Sequence, residues 1–205
     1  MKIVAVLGSP QPRGNSAGLA RAFLAAAREQ GAEVQEYALN QMNFQGCQGC
    51  RACKTKNGAC SLEDDLSPVL QAVKGADLLV LASPVYFDDL SGQLKCFFDR
   101  TFSYFNPDFS SRLPAGKQAV VVLAQGNPDP DKFADLFARY EGWLKFHGFD
   151  TVHLLRAVGV LEPGDIAARP ELLSQAAALD QTKSACRQNS DLCQPTEHSG
   201  LVSSF

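Results

Sequence analysis

The chain has few histidines, no surplus of positive charge and no long apolar stretch, and each shortage argues against a class of function. Its 205 residues include three histidines, which are scattered and match no metal-ligand spacing. The net charge of −3 and the pI near 5.6 lack the basic footprint of a nucleic-acid-binding domain. No run approaches the roughly 18 apolar residues of a membrane span, and the short apolar start does not fit a signal peptide. We therefore expect a cytoplasmic protein without a nucleic-acid or membrane partner.

Several common catalytic and nucleotide-binding motifs are also missing. Residues 8–16 lack both the Gly-Lys-Ser/Thr ending of a Walker loop and the Gly-x-Gly-x-x-Gly pattern of a Rossmann dinucleotide site. No serine or cysteine has a recognisable triad partner, so hydrolysis through a nucleophile is not expected. The sequence shows no internal repeat, and its length and ordinary globular composition predict one domain.

Short apolar runs alternate with helical patterns along the chain. Strands are predicted at residues 2–7, 33–39, 77–82, 117–124 and 151–160. Helices are predicted at residues 15–30, 64–74, 91–100, 131–147 and 170–187. This alternation predicts an α/β fold in which helices cover both faces of a five-stranded parallel sheet. The predicted domain spans residues 1–187 with a cysteine-rich loop at 40–62, and the patternless residues 188–205 are expected to form a flexible tail.

The segment that joins the first predicted strand to the first predicted helix is rich in groups that bind anions. In a doubly wound sheet this position lies at the carboxyl ends of the strands, where ligands bind. Two hydroxyls, an amide, a cation and a flexible turn come from Ser9, Ser16, Asn15, Arg13 and Gly14. Beside the positive end of a helix, these groups suit a terminal phosphate. The alternative is a polar turn followed by an N-capped helix.

Two further loops are predicted at the same edge of the sheet. After the third strand, a Pro-Val turn and two aromatic residues suit the face of a flat heterocycle, although a strand end with core aromatics gives the same pattern. These residues are Pro84, Val85, Tyr86 and Phe87. After the fourth strand, Gln125 and Gly126 either contact the ligand or form a plain turn.

Four cysteines lie close together in the long irregular loop. They are Cys47, Cys50, Cys53 and Cys60. This spacing lets thiolates converge on an iron–sulfur cluster, and the neighbouring cations would offset the negative charge and lower the thiol pKa values. The alternatives are zinc, and metal-free cysteines that stay as reduced thiols or form a redox disulfide. Elsewhere in the chain, the i, i+4 spacing of Lys95 and Asp99, with Arg100 adjacent, predicts an ion pair on a helix surface rather than a catalytic site.

Taken in order, these motifs resemble the NADPH-dependent FMN reductase family, and within it the iron–sulfur flavoprotein branch. The resemblance covers about residues 1–160 and rests on Gly8-Ser9-Pro10, Gly14-Asn15-Ser16, Cys47-x2-Cys50-x2-Cys53, Asp64-Asp65, Ser83-Pro84-Val85-Tyr86, Leu94-Lys95 and Asp99-Arg100. It implies a flavodoxin-like α/β/α sandwich, FMN bound without a covalent link, and a homodimer or homotetramer.

The resemblance also implies a role for each candidate residue. The phosphate of FMN would be held by Ser9, Arg13, Gly14, Asn15 and Ser16. Pro84, Val85, Tyr86 and Phe87 would line the isoalloxazine. Gln125 and Gly126 of the third loop would contact the flavin ring. In the iron–sulfur branch the four cysteines bind a [4Fe–4S] cluster.

We therefore expect an FMN-dependent oxidoreductase that receives electrons from NAD(P)H or from a ferredoxin-like donor. The flavin performs the chemistry, so no catalytic side chain is assigned. The alternatives are a flavodoxin-like electron carrier without a substrate of its own and a small-molecule sensor.

Overall fold

The computed structural model describes residues 1–55 and 58–186. The strands are β1 Lys2–Leu7, β2 Glu33–Ala38, β3 Leu78–Tyr86, β4 Asp89–Leu90, β5 Lys117–Gln125 and β6 Phe149–Val158. The helices are α1 Asn15–Glu29, α2 Leu66–Gly75, α3 Gly92–Arg100, α4 Ala134–His147 and α5 Pro170–Cys186. Short 3-10 helices occupy Leu39–Gln41, Ala52–Lys54, Thr101–Tyr104 and Asp165–Ala168. The predicted tail lies outside the described residues.

The sheet has the flavodoxin-like strand order. Its hydrogen-bonded path is β2-β1-β3-β5-β6, with every pair parallel, and β4 pairs antiparallel with β3 off this path. The order of the strands reverses between β1 and β3, which is the switch point where such sheets bind ligands. The predicted α/β fold and its five parallel strands are confirmed. The sequence prediction missed β4, because a strand of two residues has no periodic pattern.

Alternation along the strands builds one core on each face of the sheet. In β1, Val4 and Val6 pack with residues of α2, α3 and α4, whereas Ile3, Ala5 and Leu7 pack with residues of α1 and α5. The strands β3 and β5 divide their side chains in the same way. Successive side chains of a strand point to opposite faces, so a continuous apolar run fills both cores at once.

The third strand is longer than predicted, and the predicted Pro-Val turn is wrong. Pro84 is paired with Ala124 of β5 inside the ladder, while the pairing of β3 with β1 ends at Ala82. Beyond Ala82 the strand has a partner on one side only, which is where a sheet tolerates proline. The turn follows later, at Phe87 and Asp88.

None of the helices in the described part of the chain is long and apolar enough to cross a membrane.

Candidate functional site

The loop between β1 and α1 is held by hydrogen bonds to its carbonyl groups. The carbonyl oxygen of Pro10 accepts a hydrogen bond from Asn40 Nδ2 at 3.2 Å, and that of Pro12 accepts one from Arg21 Nη1 at 2.8 Å. These oxygens would repel an anion, and both are engaged by side chains. The loop is therefore fixed in shape before any ligand arrives.

The first turn of α1 presents backbone N–H groups without a side-chain cap. Gly14 is the N-cap residue, and the first helical bond runs from Gly18 N to Gly14 O. The N–H groups of residues 15–17 therefore have no partner within the helix. A Cβ at Gly14 would lie 2.5 Å from Ser9 Oγ, whose position is set by hydrogen bonds with the backbone of Gln11. Glycine is needed here for space, because its backbone is in the ordinary extended region.

Ser16 provides the clearest sign that something polar belongs at this helix start. Its side chain is 1% exposed, and its Oγ has no hydrogen-bond partner in the protein. An unsatisfied buried hydroxyl costs about 1–3 kcal/mol. A phosphate oxygen would supply the missing partner, so the residues present fit the phosphate of FMN.

Asn15 and Arg13 are placed differently from Ser16. Asn15 is buried, its Nδ2 donates to the carbonyl of Glu162 at 3.0 Å, and its Oδ1 accepts from Ile166 N at 3.0 Å. The side chain of Asn15 thus anchors α1 to the turn after β6 and offers a ligand mainly its backbone N–H. Arg13 is exposed beside the loop.

The predicted isoalloxazine loop forms a tight hairpin with an exposed tip. Val85 pairs with Leu90 and Tyr86 with Asp89, and both turn residues, Phe87 and Asp88, have positive φ values of 47° and 63°. Positive φ is uncommon outside glycine and is a mark of local strain. The hairpin places the ring of Phe87 fully in solvent and leaves Tyr86 45% exposed.

Ser91 joins the hairpin to the phosphate loop. Its Oγ donates to the carbonyl of Gly8 at 2.7 Å, and its backbone N–H donates to Ser83 Oγ at 2.8 Å. It also caps α3, since Leu94 N donates to the same hydroxyl. All of these groups are buried, so the two loops keep one relative position. The sequence marked Ser91 only as a helix start.

The third loop uses its predicted residues to hold its own shape. Gln125 is buried, its Nε2 donates to the carbonyls of Asn127 and Asp129 at 3.0 Å, and its Oε1 accepts from Arg156. Its amide is therefore engaged within the protein. A Cβ at Gly126 would lie 2.8 Å from Leu161 Cδ1, so this glycine permits close packing. A ligand contact by either residue stays a prediction.

The four cysteines of the long loop line one cavity, together with Arg51, Arg100 and Phe102. Cys47 and Cys50 are exposed, Cys60 is partly buried and Cys53 is buried. Cys50 Sγ lies 3.3 Å from Ser61 Oγ. No group of three or more His, Cys, Asp or Glu side chains in the described residues has the arrangement of a metal site. The sulfurs share a cavity, and their chemistry suits an iron–sulfur cluster, but ligation would require them to converge.

Lys54 fastens this loop to the body of the protein. Its Nζ donates to the carbonyls of Phe102 and Phe105 at 2.5 and 2.8 Å and lies 3.6 Å from the centre of the Phe102 ring. Burial raises the pKa of the Cys53 thiol, and Lys54 lowers it by less, so the net pKa is raised. The nearby cation therefore lowers the pKa of Cys53 as predicted, but burial, which the prediction left out, outweighs it.

Arg100 is the residue whose role the sequence analysis misjudged. The predicted surface pair of Lys95 and Asp99 is confirmed at 2.6 Å, but the neighbouring Arg100 is 1% exposed and forms a buried ion pair with Asp64. Arg100 follows the buried Phe97 by three positions, so both lie on the inner face of α3. This three-residue spacing is the sequence feature that could have predicted the burial of Arg100.

A family model matches much of the chain. The model of NADPH-dependent FMN reductase matches residues 1–130. An iron–sulfur flavoprotein of Methanocaldococcus jannaschii is 41% identical to this chain over 163 residues, which cover 80% of this chain and 78% of that protein.

Solved structures share the fold. A NAD(P)H:quinone oxidoreductase from Methanothermobacter marburgensis aligns with a TM-score of 0.71 and 21% identity, over 96% of this chain and 99% of that one. An FMN-dependent NADH-azoreductase from Bacillus anthracis, solved in complex with FMN, aligns with a TM-score of 0.65 and 19% identity, over 87% and 99%. At identities this low, the two comparisons show a shared fold and nothing more specific.

Proposed function

This chain belongs to the NADPH-dependent FMN reductase family, and from that premise we propose how it binds FMN and why it carries four cysteines beside that site. It is an FMN-dependent oxidoreductase of the NAD(P)H-using kind. The observation that carries the proposed binding mode is the buried, unpartnered Ser16 Oγ at the uncapped start of α1.

In our proposal the phosphate of FMN is bound by Ser9, Arg13, Gly14, Asn15 and Ser16. The backbone N–H groups of residues 15–17 and the Ser16 hydroxyl donate to it, and Arg13 adds charge from the surface. Ser9 and the side chain of Asn15 act by fixing the loop. Gly14 leaves room for the anion to approach the backbone.

The isoalloxazine is proposed to lie along Pro84, Val85, Tyr86 and Phe87, with Gln125 and Gly126 at its far edge. The exposed rings of Tyr86 and Phe87 supply apolar faces for a flat ring, and Ser91 holds this hairpin at a set distance from the phosphate loop. When bound, FMN supplies hydride and electron transfer, for which the protein contributes orientation and access.

We further propose that Cys47, Cys50, Cys53 and Cys60 bind a [4Fe–4S] cluster. The support is that all four line one cavity beside cationic side chains, and that the similar Methanocaldococcus jannaschii protein bears the name iron–sulfur flavoprotein. Thiolate ligands carry negative charge, which Arg51, Lys54 and Arg100 are placed to balance. A cluster would add single-electron exchange to the flavin's chemistry.

The remaining parts of the proposal concern partners and place. NAD(P)H or a ferredoxin-like protein is the proposed electron donor, and a homodimer or homotetramer is the proposed assembly, both on the basis of the family resemblance. The cytoplasm is the proposed location, because a loop with four thiols keeps its reduced state there.

Anaerobic purification tests the cofactor assignments. The visible spectrum, the released flavin, iron and acid-labile sulfide are measured on one sample. One FMN and about four irons and four sulfides per chain support both proposals. FMN without iron or sulfide contradicts the cluster proposal, zinc in place of iron favours the alternative metal, and failure to bind added FMN contradicts the flavin site.

A steady-state assay then separates a reductase from a carrier. The oxidation of NADH and NADPH is followed with quinone, azo dye, free flavin or ferric chelate as the acceptor. Turnover with any of these supports a reductase that uses reduced nicotinamide directly. A protein that is fully loaded with FMN but inactive with both nucleotides favours the carrier.

A further inference from the structure

Arg100 lies where the two ends of the cysteine loop meet. Its Nη1 donates to the carbonyl of Gln45 at 2.9 Å, and its Nη2 donates to the carbonyl of Leu62 at 3.2 Å. Gln45 precedes the first cysteine of the loop and Leu62 follows the last. One guanidinium therefore closes the base of residues 46–61.

Asp64 holds this guanidinium in place. Its Oδ2 accepts from Nη1 at 2.8 Å and its Oδ1 from Nη2 at 3.2 Å, which is the two-pronged geometry that only arginine offers. The side chain of Arg100 is 0% exposed and that of Asp64 is 16% exposed. All four N–H groups of the two Nη atoms are thus engaged.

The fifth N–H of Arg100 is left over. Its Nε is buried and has no hydrogen-bond partner in the protein, and Arg100 and Cys60 line the same cavity. Arginine donates most strongly to anionic acceptors, and a thiolate sulfur is the anion this cavity offers.

We propose that Arg100 is a positioning residue for the cysteine loop: it fastens both ends of the loop and directs its unused Nε–H to the sulfur of Cys60 when that sulfur is a thiolate ligand. This inference rests on the proposed cluster and adds to it the residue that prepares the site. The guanidinium of Arg100 joins the two ends of the loop, so the four cysteines are kept near one another before a metal binds.

The test uses the full-length protein and four variants. R100Q removes both the charge and the paired hydrogen bonds from the two Nη atoms. R100K keeps the charge but not that pair of bonds. Should R100Q fail to fold, the double variant D64N/R100Q avoids leaving Asp64 as an unpaired carboxylate. K95Q is the control, because it removes a cation from the exposed face of the same helix. FMN content is measured in every variant as a check on the fold.

Three readouts are taken. In the cluster-free protein, hydrogen exchange of residues 46–61 should become at least tenfold faster in R100Q, R100K and the double variant, and stay unchanged in K95Q. After anaerobic reconstitution, iron and sulfide per chain should fall at least twofold in R100Q and the double variant. The reduction potential of the iron-loaded fraction should shift to more negative values in R100Q and remain near wild type in R100K, because the charge beside Cys60 is kept.

The outcomes separate this inference from the proposed function. Wild-type exchange and iron loading in R100Q and in the double variant overturn the role of Arg100, even if the wild-type protein carries a full cluster. A wild-type protein with FMN but no iron overturns the cluster proposal and the role of Nε, and the exchange data then decide whether Arg100 closes the loop. A wild-type protein without FMN overturns the flavin proposal alone.

Discussion

At the scale of single residues, the informative side chains are those with a buried polar atom that has no hydrogen-bond partner. Ser16 and Arg100 both bury a polar group that the protein does not pair, Oγ in one and Nε in the other. Buried polar groups are nearly always hydrogen-bonded, so each exception calls for a partner that the protein by itself does not supply in this state. For Ser16 that partner is the proposed phosphate, and for Arg100 it is the proposed thiolate.

Replacing Ser16 with alanine should have opposite effects on binding and on stability. S16A removes one donor to a charged phosphate and should weaken FMN binding by at least about tenfold, since such bonds are worth about 1.5–3 kcal/mol. The same change removes an unsatisfied hydroxyl, so the FMN-free protein should be as stable as wild type or more so. Fluorescence titration of FMN and urea unfolding measure the two effects. S174A, at an exposed position of α5, is the control and should change neither value by much. Unchanged FMN affinity in S16A would contradict the phosphate assignment.

The pair of Asp64 and Arg100 should make stability depend on pH in acid. Burial raises the pKa of Asp64, but the hydrogen bonds with Arg100 and with the backbone of Gln45 and Leu66 lower it by a larger amount. The net pKa is therefore below the ordinary value. The folded pKa is below the unfolded value of about 3.9, so the stability that the carboxylate contributes is present above that pH. It is lost as the pH falls through the folded pKa.

The variant D64N should therefore be less stable than wild type at pH 7, by about 3 kcal/mol, since it leaves Arg100 buried without its counter-charge. The difference should narrow below about pH 4. Urea unfolding followed by circular dichroism at pH 7.0 and pH 3.5 checks this expectation. An equal difference at both pH values would show that Asp64 contributes by packing rather than by charge.

At the scale of elements, the site depends on loops that are fastened to one another. The phosphate loop follows β1, the hairpin follows β3, and Ser91 at the start of α3 bonds to both. The cysteine loop is fastened by Lys54 and Arg100 to the segment that ends α3 and follows it. Helix α3 thus contacts both proposed cofactor sites, one at each end.

Gly14, the N-cap residue of α1, and Gly142, inside α4, should respond oppositely to replacement by alanine. G14A places a Cβ 2.5 Å from Ser9 Oγ at the start of α1, so it should distort the phosphate loop, lower stability by about 1–3 kcal/mol and weaken FMN binding. In G142A, in α4, the added Cβ meets no atom within 4 Å apart from the nearby backbone of its own helix, so the change should raise stability by about 0.5–1 kcal/mol. Thermal unfolding and FMN titration of both variants test the pair. A stable G14A protein with wild-type FMN affinity would contradict the proposed role of this turn.

At the scale of the whole molecule, the proposed FMN site draws on loops from three neighbouring strands. A ligand that binds only the folded chain raises the free energy of unfolding by RT ln(1 + [L]/Kd), about 2.7 kcal/mol at 100 times Kd. For a domain of this size, that corresponds to a Tm increase of roughly 5–10 °C.

We expect FMN to give this Tm increase and riboflavin, which lacks the phosphate, to give a much smaller one at the same concentration. Differential scanning fluorimetry with each flavin measures the shifts. In S16A the difference between the two flavins should shrink. Equal stabilisation by FMN and riboflavin would mean that contacts between the phosphate group and this loop do not contribute to the affinity for FMN.

The sequence alone determined the fold class, the family and the approximate position of each loop. Apolar strand runs that alternate with helical patterns are local features, and a parallel sheet with covered faces is their usual outcome. The cysteine spacing and the residues of the phosphate loop are likewise visible without coordinates. Each of these predictions depends on neighbours in the chain.

Only the tertiary structure decided which polar groups are paired. Asn15 and Gln125 are engaged inside the protein, whereas Ser16 is left without a partner, and all three look alike in sequence as polar residues of ligand loops. Arg100 reads as part of a surface cluster until α3 is packed on the sheet, where it reaches Gln45 and Asp64. These contacts join residues distant in the chain, and hydrogen-bond satisfaction depends on where folding brings them rather than on local pattern.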